Sequence, residues 1–77
     1  MTLSESPVGE TLRVTGIRLP AAAALRLSEM GIRLGTFAQV THRASFGGRV
    51  VAVAGSRFAI DGGTAHLIDV EPAVRHP

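Results

Sequence analysis

The stretch Arg26-Leu27-Ser28-Glu29-Met30-Gly31-Ile32-Arg33-Leu34-Gly35-Thr36 constrains the chain most, because an alanine-rich, helix-compatible run there gives way to glycine-punctuated strands. Leu27 and Met30 stand three apart and share a helical face. Gly31 can take the left-handed conformation that ends a helix, and Gly35 permits a tight turn before Phe37 and Val40. The stretch therefore reads as a helix stop followed by a strand start. Pro20 suits the first helical position, where its missing N–H is one that a helix start leaves unpaired, and Ala21 to Leu25 is a strong helix-forming run. A helix over about 20–30 follows, with Ala23, Leu27 and Met30 facing inward and Ala24 beside them. Arg26, Ser28 and Glu29 lie nearer to water, and Leu25 fits neither face.

Around this helix the chain alternates short strand patterns with turns. In Thr11-Leu12-Arg13-Val14-Thr15-Gly16-Ile17, Leu12 and Val14 alternate with polar residues, and Gly16 marks a bulge or strand end. The run from Thr36 to Arg43 puts Ala38 and Val40 on one side and Phe37 on the other. Ala44-Ser45-Phe46-Gly47-Gly48 is a corner, and Arg49 to Ala54 is so nearly continuous in apolar residues that it predicts a strand covered on both faces. Gly55-Ser56 turns the chain into Arg57 to Ile60. After Gly62-Gly63, one helical turn at 64–66 precedes a last strand, Leu67 to Val70.

At 77 residues a chain has one small core, burying ~60% of the surface that its unfolded form exposes. With no cysteine, neither disulfides nor a thiolate zinc site can supplement it. Five short strands with one helix after the first cannot satisfy their edges as a flat sheet of this size, so the expected fold is mainly β, a small five-stranded barrel, with an open antiparallel sheet carrying one packed helix as the alternative of similar sequence. Residues 1–8 form an N-terminal lead, 9–71 the barrel domain with Leu27, Met30, Gly31, Gly35 and Gly55 as its anchors and corners, and 72–77 a flexible tail.

The amino terminus lacks the basic start and apolar core of a signal peptide, and no later run approaches the ~20 apolar residues of a membrane span, so a cytoplasmic protein that is not inserted in a membrane is expected. Net charge is +2, and all eight basic residues are arginine, which lifts the isoelectric point to about 11.2. These arginines are scattered, and three phenylalanines without tyrosine or tryptophan make a poor base-stacking platform. No nucleic-acid partner is expected.

Nor does catalysis fit. His42, His66 and His76 include no pair at the spacing with which a helix holds a metal. The carboxylates are dispersed, and Ser45, Ser56 and Thr64 flank turns where hydroxyls bond the backbone. Phe46-Gly47-Gly48-Arg49 lacks the glycine spacing, lysine and following helix of a phosphate loop. No enzyme activity, cofactor or metal site is expected, and surface recognition remains. Its candidates are the outer helix face, with Arg26, Glu29 and Arg33, and the corner carrying Phe46 and Arg49. Beside that reading stands the plainer one of a solvated helix face and a buried corner phenylalanine. A homo-oligomer is compatible with the sequence.

An ordered series of residues resembles the FeoA family of small proteins linked to bacterial ferrous iron uptake. It runs from Gly9 through Val14 and Ile17 to Arg26-Leu27, Met30-Gly31-Ile32 and Gly35-Thr36. It continues through Phe46-Gly47-Gly48, Gly55, Phe58-Ala59-Ile60, Ala65, Ile68 and Val70. The resemblance implies an SH3-like barrel and an accessory or regulatory role with FeoB, a membrane ferrous iron transporter carrying a cytoplasmic GTP-binding domain. Leu34 and Arg49 stand where many relatives carry proline, and at Arg49 the backbone regains an N–H able to extend strand pairing. The same fold is found as the carboxy-terminal domain of iron-dependent repressors, a role that would make this chain a fragment. A free-standing barrel that binds peptide or nucleic acid is the other alternative.

Overall fold

The computed structural model describes residues 1–73. Strand β1 (Thr11–Ile17) leads to helix α1 (Ala21–Glu29), followed by β2 (Phe37–Arg43), β3 (Arg49–Val53), β4 (Ser56–Ile60), a single helical turn α2 (Gly62–Ala65) and β5 (Ile68–Pro72). All five strands form one antiparallel sheet in the order β4-β3-β2-β1-β5. Every strand sends side chains into one apolar core, with Leu12, Val40, Val51 and Ile68 fully enclosed. The sheet must therefore wrap around that core rather than lie flat.

The switch from helix to strand takes the expected form in full. Gly31 has φ +95, its N–H donates to Ser28 O at 3.0 Å, and the Ile32 N–H donates to Leu27 O at 2.8 Å. This pair of bonds is the Schellman motif, which satisfies carbonyls that a helix end leaves without partners. It also drives Ile32 into the core beside Leu27. On α1 Leu27 is buried, Ala23, Ala24 and Met30 are half-buried, and Leu25 stands exposed. Gly35 and Gly55 both have positive φ, as corners require. In β1 the register shifts between Val14 and Gly16, the bulge expected there. A Cβ on Gly16 would lie 2.8 Å from Asp69 Oδ2.

Four expectations are corrected. Pro20 is the N-cap rather than the first helical residue: its backbone is extended, and its carbonyl accepts the Ala24 N–H at 2.9 Å. β3 is covered on one face only, with Val51 and Val53 buried and Val50 and Ala52 half-buried, because the sheet has no second layer over its outer side. Residues 1–8 are no mere lead. The 3-10 turn Leu3–Glu5 buries Leu3, Ser6 is enclosed, Met1 O accepts the Val70 N–H at 2.7 Å, and Thr2 bridges to Asp69. This segment covers the edge of β5 that β1 leaves free, a task the sequence expectation assigned to barrel closure. Finally, β5 runs through Pro72, which pairs with Leu12, and the Ala73 N–H donates to Thr11 O at 2.9 Å. The order thus passes the expected boundary at residue 71, and residues 74–77 lie outside the described residues.

Candidate functional site

Arg26 and Glu29 project from the exposed side of α1, and neither belongs to an ion pair among the described residues. Arg33 is held differently. Its Nε donates to Ser28 O at 3.2 Å and lies 3.1 Å from Ser28 Oγ, so the guanidinium folds back over the helix C-terminus, where a cation is favoured. Arg49 is also committed. Its Nη1 donates to Gly48 O at 2.9 Å and its Nη2 to Ser4 O, while the enclosed Nε has no partner among the described residues. The side chain ties β3 to the N-terminal turn, and β3 begins at Arg49 itself, as its recovered N–H allows.

Phe46 is the opposite case. It is 99% exposed, so the expectation of a buried corner phenylalanine is excluded. Its backbone adopts φ 56, ψ 40, the left-handed region that side chains disfavour, inside the turn Ser45–Gly47. The turn is fixed from behind by α2: a Cβ on Gly62 would fall 2.1 Å from Phe46 O and 3.1 Å from the Gly47 carbonyl carbon. Only a residue without a side chain lets the two backbones approach so closely. The Ala44 N–H to Gly48 O bond, 2.9 Å, closes the corner.

On its other side α2 borders a groove of about 360 Å³. Leu19, Ala23, Leu27 and Met30 form one apolar wall, Ala59 and Ile60 another, and Arg26, Asp61 and Thr64 lie at the groove as its polar groups. Asp61 caps α2, accepting the Thr64 N–H at 2.8 Å and the Thr64 hydroxyl at 3.0 Å. Those donors, the backbone N–H foremost, hold its carboxyl below the usual aspartate range. Glu5 is lowered in the same way by the Thr2 backbone and hydroxyl. The structure thus brings Arg26 and the Phe46 corner to opposite sides of α2 and leaves Arg33 and Arg49 as ties within the fold.

Sequence reasoning missed Asp61 and gave the Thr64 hydroxyl a backbone partner, whereas it donates to the Asp61 carboxylate. Asp61-Gly62-Gly63-Thr64 carries a helix-start pattern, an aspartate three residues before a hydroxyl, that could have flagged the cap. It also missed Phe37, which is 60% exposed beside the Arg13–Glu71 ion pair of 3.2 Å. A second ion pair, Arg18–Asp69 at 3.0 Å, is bidentate and also binds His66 O. His42 stands opposite Val50, with Thr41 Oγ 3.1 Å from its Nδ1, and meets no carboxylate among the described residues. There, too, no three of His, Asp and Glu converge on a point that could hold a metal. His76 lies outside the described residues.

One antiparallel five-stranded sheet around a single core, with one main helix and an exposed aromatic corner, defines an SH3-like β domain. The FeoA domain family matches residues 1–72. The chain belongs to the FeoA family, which is associated with ferrous iron transport. It is similar to an iron uptake regulatory protein, FeoA, at 32% identity and a TM-score of 0.85, covering 95% of this chain and 97% of that one. It is also similar to FeoA of Stenotrophomonas maltophilia, solved with zinc and described as a prokaryotic SH3 domain protein, at 33% identity and a TM-score of 0.75, covering 92% and 89%. Iron(II) transport protein A of Clostridium thermocellum shares the fold at 23% identity and a TM-score of 0.85; the match covers 94% of this chain and 45% of that one. No curated protein matches the sequence closely enough to count as a relative.

Proposed function

We propose that this protein is a cytoplasmic accessory subunit of bacterial ferrous iron uptake that regulates transport by direct contact with the cytoplasmic part of FeoB. The contact surface comprises the Phe46 corner and the outer face of α1, with Arg26 and Glu29 as its charged groups. Arg33 and Arg49 serve it indirectly by fixing the helix end and the start of β3. The reading rests on family membership together with one observation, the fully exposed Phe46 on a rigid corner. An aromatic ring that contributes nothing to the core and is held at a disfavoured backbone conformation has the character of an interface anchor. No helix of the described residues is long and apolar enough to cross a membrane, so a membrane role would come through a partner.

The test is retention of the FeoB cytoplasmic part by the immobilised protein in each nucleotide state, comparing wild type with Arg26→Ala and Phe46→Ala. Retention by wild type that falls in both variants is the expected result. Absence of association in every nucleotide state would overturn the proposal.

A further inference from the structure

β4 is an outer strand, paired with β3 on one side only. The two strands are joined by a two-residue turn, Ala54-Gly55, with positive φ at both positions and Val53↔Ser56 as the closing pair. In such a hairpin the closing pair exchanges its backbone hydrogen bonds, and bonded and non-bonded pairs then alternate along the ladder. Val51↔Phe58 and Arg49↔Ile60 are therefore bonded pairs. The N–H and C=O groups of Arg57 and Ala59 point the other way, out of the sheet. Both residues are exposed, and those backbone groups meet no partner among the described residues.

The free edge has a second wall. Ala59 and Ile60 are neighbours whose side chains leave opposite faces of β4, yet both line the groove whose far side is Ala23, Leu27 and Met30 of the α1 region. A groove that touches both residues reaches the strand's edge at its C-terminal end. Two arginines and one carboxylate lie along the edge and the groove. Arg26 at the groove and Arg57 on the edge form no ion pair among the described residues, whereas the Asp61 carboxylate is occupied by its own cap.

We infer that the β4 edge and the α1 groove together take an extended, acidic segment of a partner protein by strand addition. The segment's main chain pairs with Arg57 and Ala59, its alternate apolar side chains enter the groove between β4 and α1, and its carboxylates meet Arg26 and Arg57. Main-chain pairing supplies affinity at an edge that is otherwise unsatisfied, and the groove and arginines supply selection. The inference deepens the contact reading above, resting on it only in taking the partner to be a protein, and a peptide probe tests it separately from the transporter contact.

The probe is a short acetylated peptide alternating valine and glutamate, added to the full chain and followed by amide NMR. Binding should shift the Arg57 and Ala59 amides and slow their hydrogen exchange. Two further peptides carry N-methyl groups on alternate residues, one on each parity. One parity should lose binding by at least about tenfold and the other should keep it, since only one set of amides faces β4. Ala59→Pro removes an outward N–H that the β3 ladder does not use, so the fold should survive while binding falls. Arg26→Glu should favour a valine–lysine peptide instead. No binding at millimolar peptide, equal loss or equal retention for both N-methyl parities, or unchanged binding by Ala59→Pro would each overturn the inference. A FeoB fragment retained equally by wild type and Ala59→Pro, with no peptide bound, refutes strand addition but leaves the transporter contact standing. Peptide bound at β4 with no FeoB fragment retained does the reverse.

Discussion

Replacing Phe46 by glycine should leave the fold at least as stable while weakening the partner contact, which separates a functional side chain from a structural one. The ring is 99% exposed, so its removal forfeits almost no burial. At φ 56, ψ 40 a residue with a Cβ carries roughly 1–2 kcal/mol of strain that glycine does not. Against that, glycine loosens the unfolded chain, a cost of about 0.4–1 kcal/mol. The strain term is the larger, and the net expectation runs from neutral to about 1.6 kcal/mol of stabilisation. Phe46→Ala keeps the strained Cβ and loses no burial, so it should lie within about 0.5 kcal/mol of wild type. Urea unfolding with an unchanged dependence on denaturant measures both. In the FeoB retention assay each variant should bind more weakly, by about 30-fold if Phe46 is a central anchor worth roughly 2 kcal/mol. A Phe46→Gly protein destabilised by more than about 1 kcal/mol would refute the reasoning, because the ring would then have a packing role that its exposure denies.

Leu27→Ala should cost about 2–5 kcal/mol, since the side chain is buried in the core beside Ile32; thermal unfolding checks it, and a loss under 1 kcal/mol would make the helix phase wrong. Gly31→Ala should cost about 1 kcal/mol or more although its Cβ would meet only Val53 Cγ1 at 3.6 Å, because the expense lies in φ +95 rather than in space. Gly62→Ala sets sterics against propensity: alanine is the better helix former by about 1 kcal/mol, but its Cβ would sit 2.1 Å from Phe46 O, so the melting temperature should fall rather than rise. The Asp61 carboxyl is lowered by the Thr64 N–H and hydroxyl, so its contribution to stability is present above the ordinary aspartate range and lost as pH falls through the depressed folded value. Asp61→Asn, which still caps but cannot ionise, should therefore change stability little at neutral pH and flatten its fall on acidification, as followed by circular dichroism.

Much of the scaffold was legible because its signals are local. The Leu27-x-x-Met30-Gly31 pattern specifies where a helix ends and which of its faces is buried, and the alternation in Leu12-Arg13-Val14 and Ala38-Gln39-Val40 specifies which strand face is buried. What escaped depends on contacts distant in sequence. Nothing local to Met1-Thr2-Leu3 shows that its backbone will lie against Val70 and Asp69, and without that segment Arg49 looks like a free cation on a corner. Once Ser4 O is in place, the same guanidinium is an internal tie. The tie made by Arg33 was hidden for a related reason: it follows a helix end, where a cation is drawn back to the carbonyls it has just passed. Phe46 could be narrowed only to buried or exposed, because a glycine-flanked aromatic fits either until the turn's conformation is known.

The short turn α2 links the two surfaces on which function is proposed. Asp61 and Thr64 contribute to the groove beside α1, while Gly62, between them in sequence, is in close backbone approach to the Phe46 corner. The cap that fixes α2 is made entirely of Asp61 and Thr64, so the position of the groove's polar side and the position of the aromatic corner are set by one small unit. The close approach of the two backbones depends on glycine at position 62, since a Cβ there would fall 2.1 Å from Phe46 O. The proposed groove contact and the proposed Phe46 contact therefore share one supporting element. If one partner made both proposed contacts, the second would form at the effective concentration that the first sets.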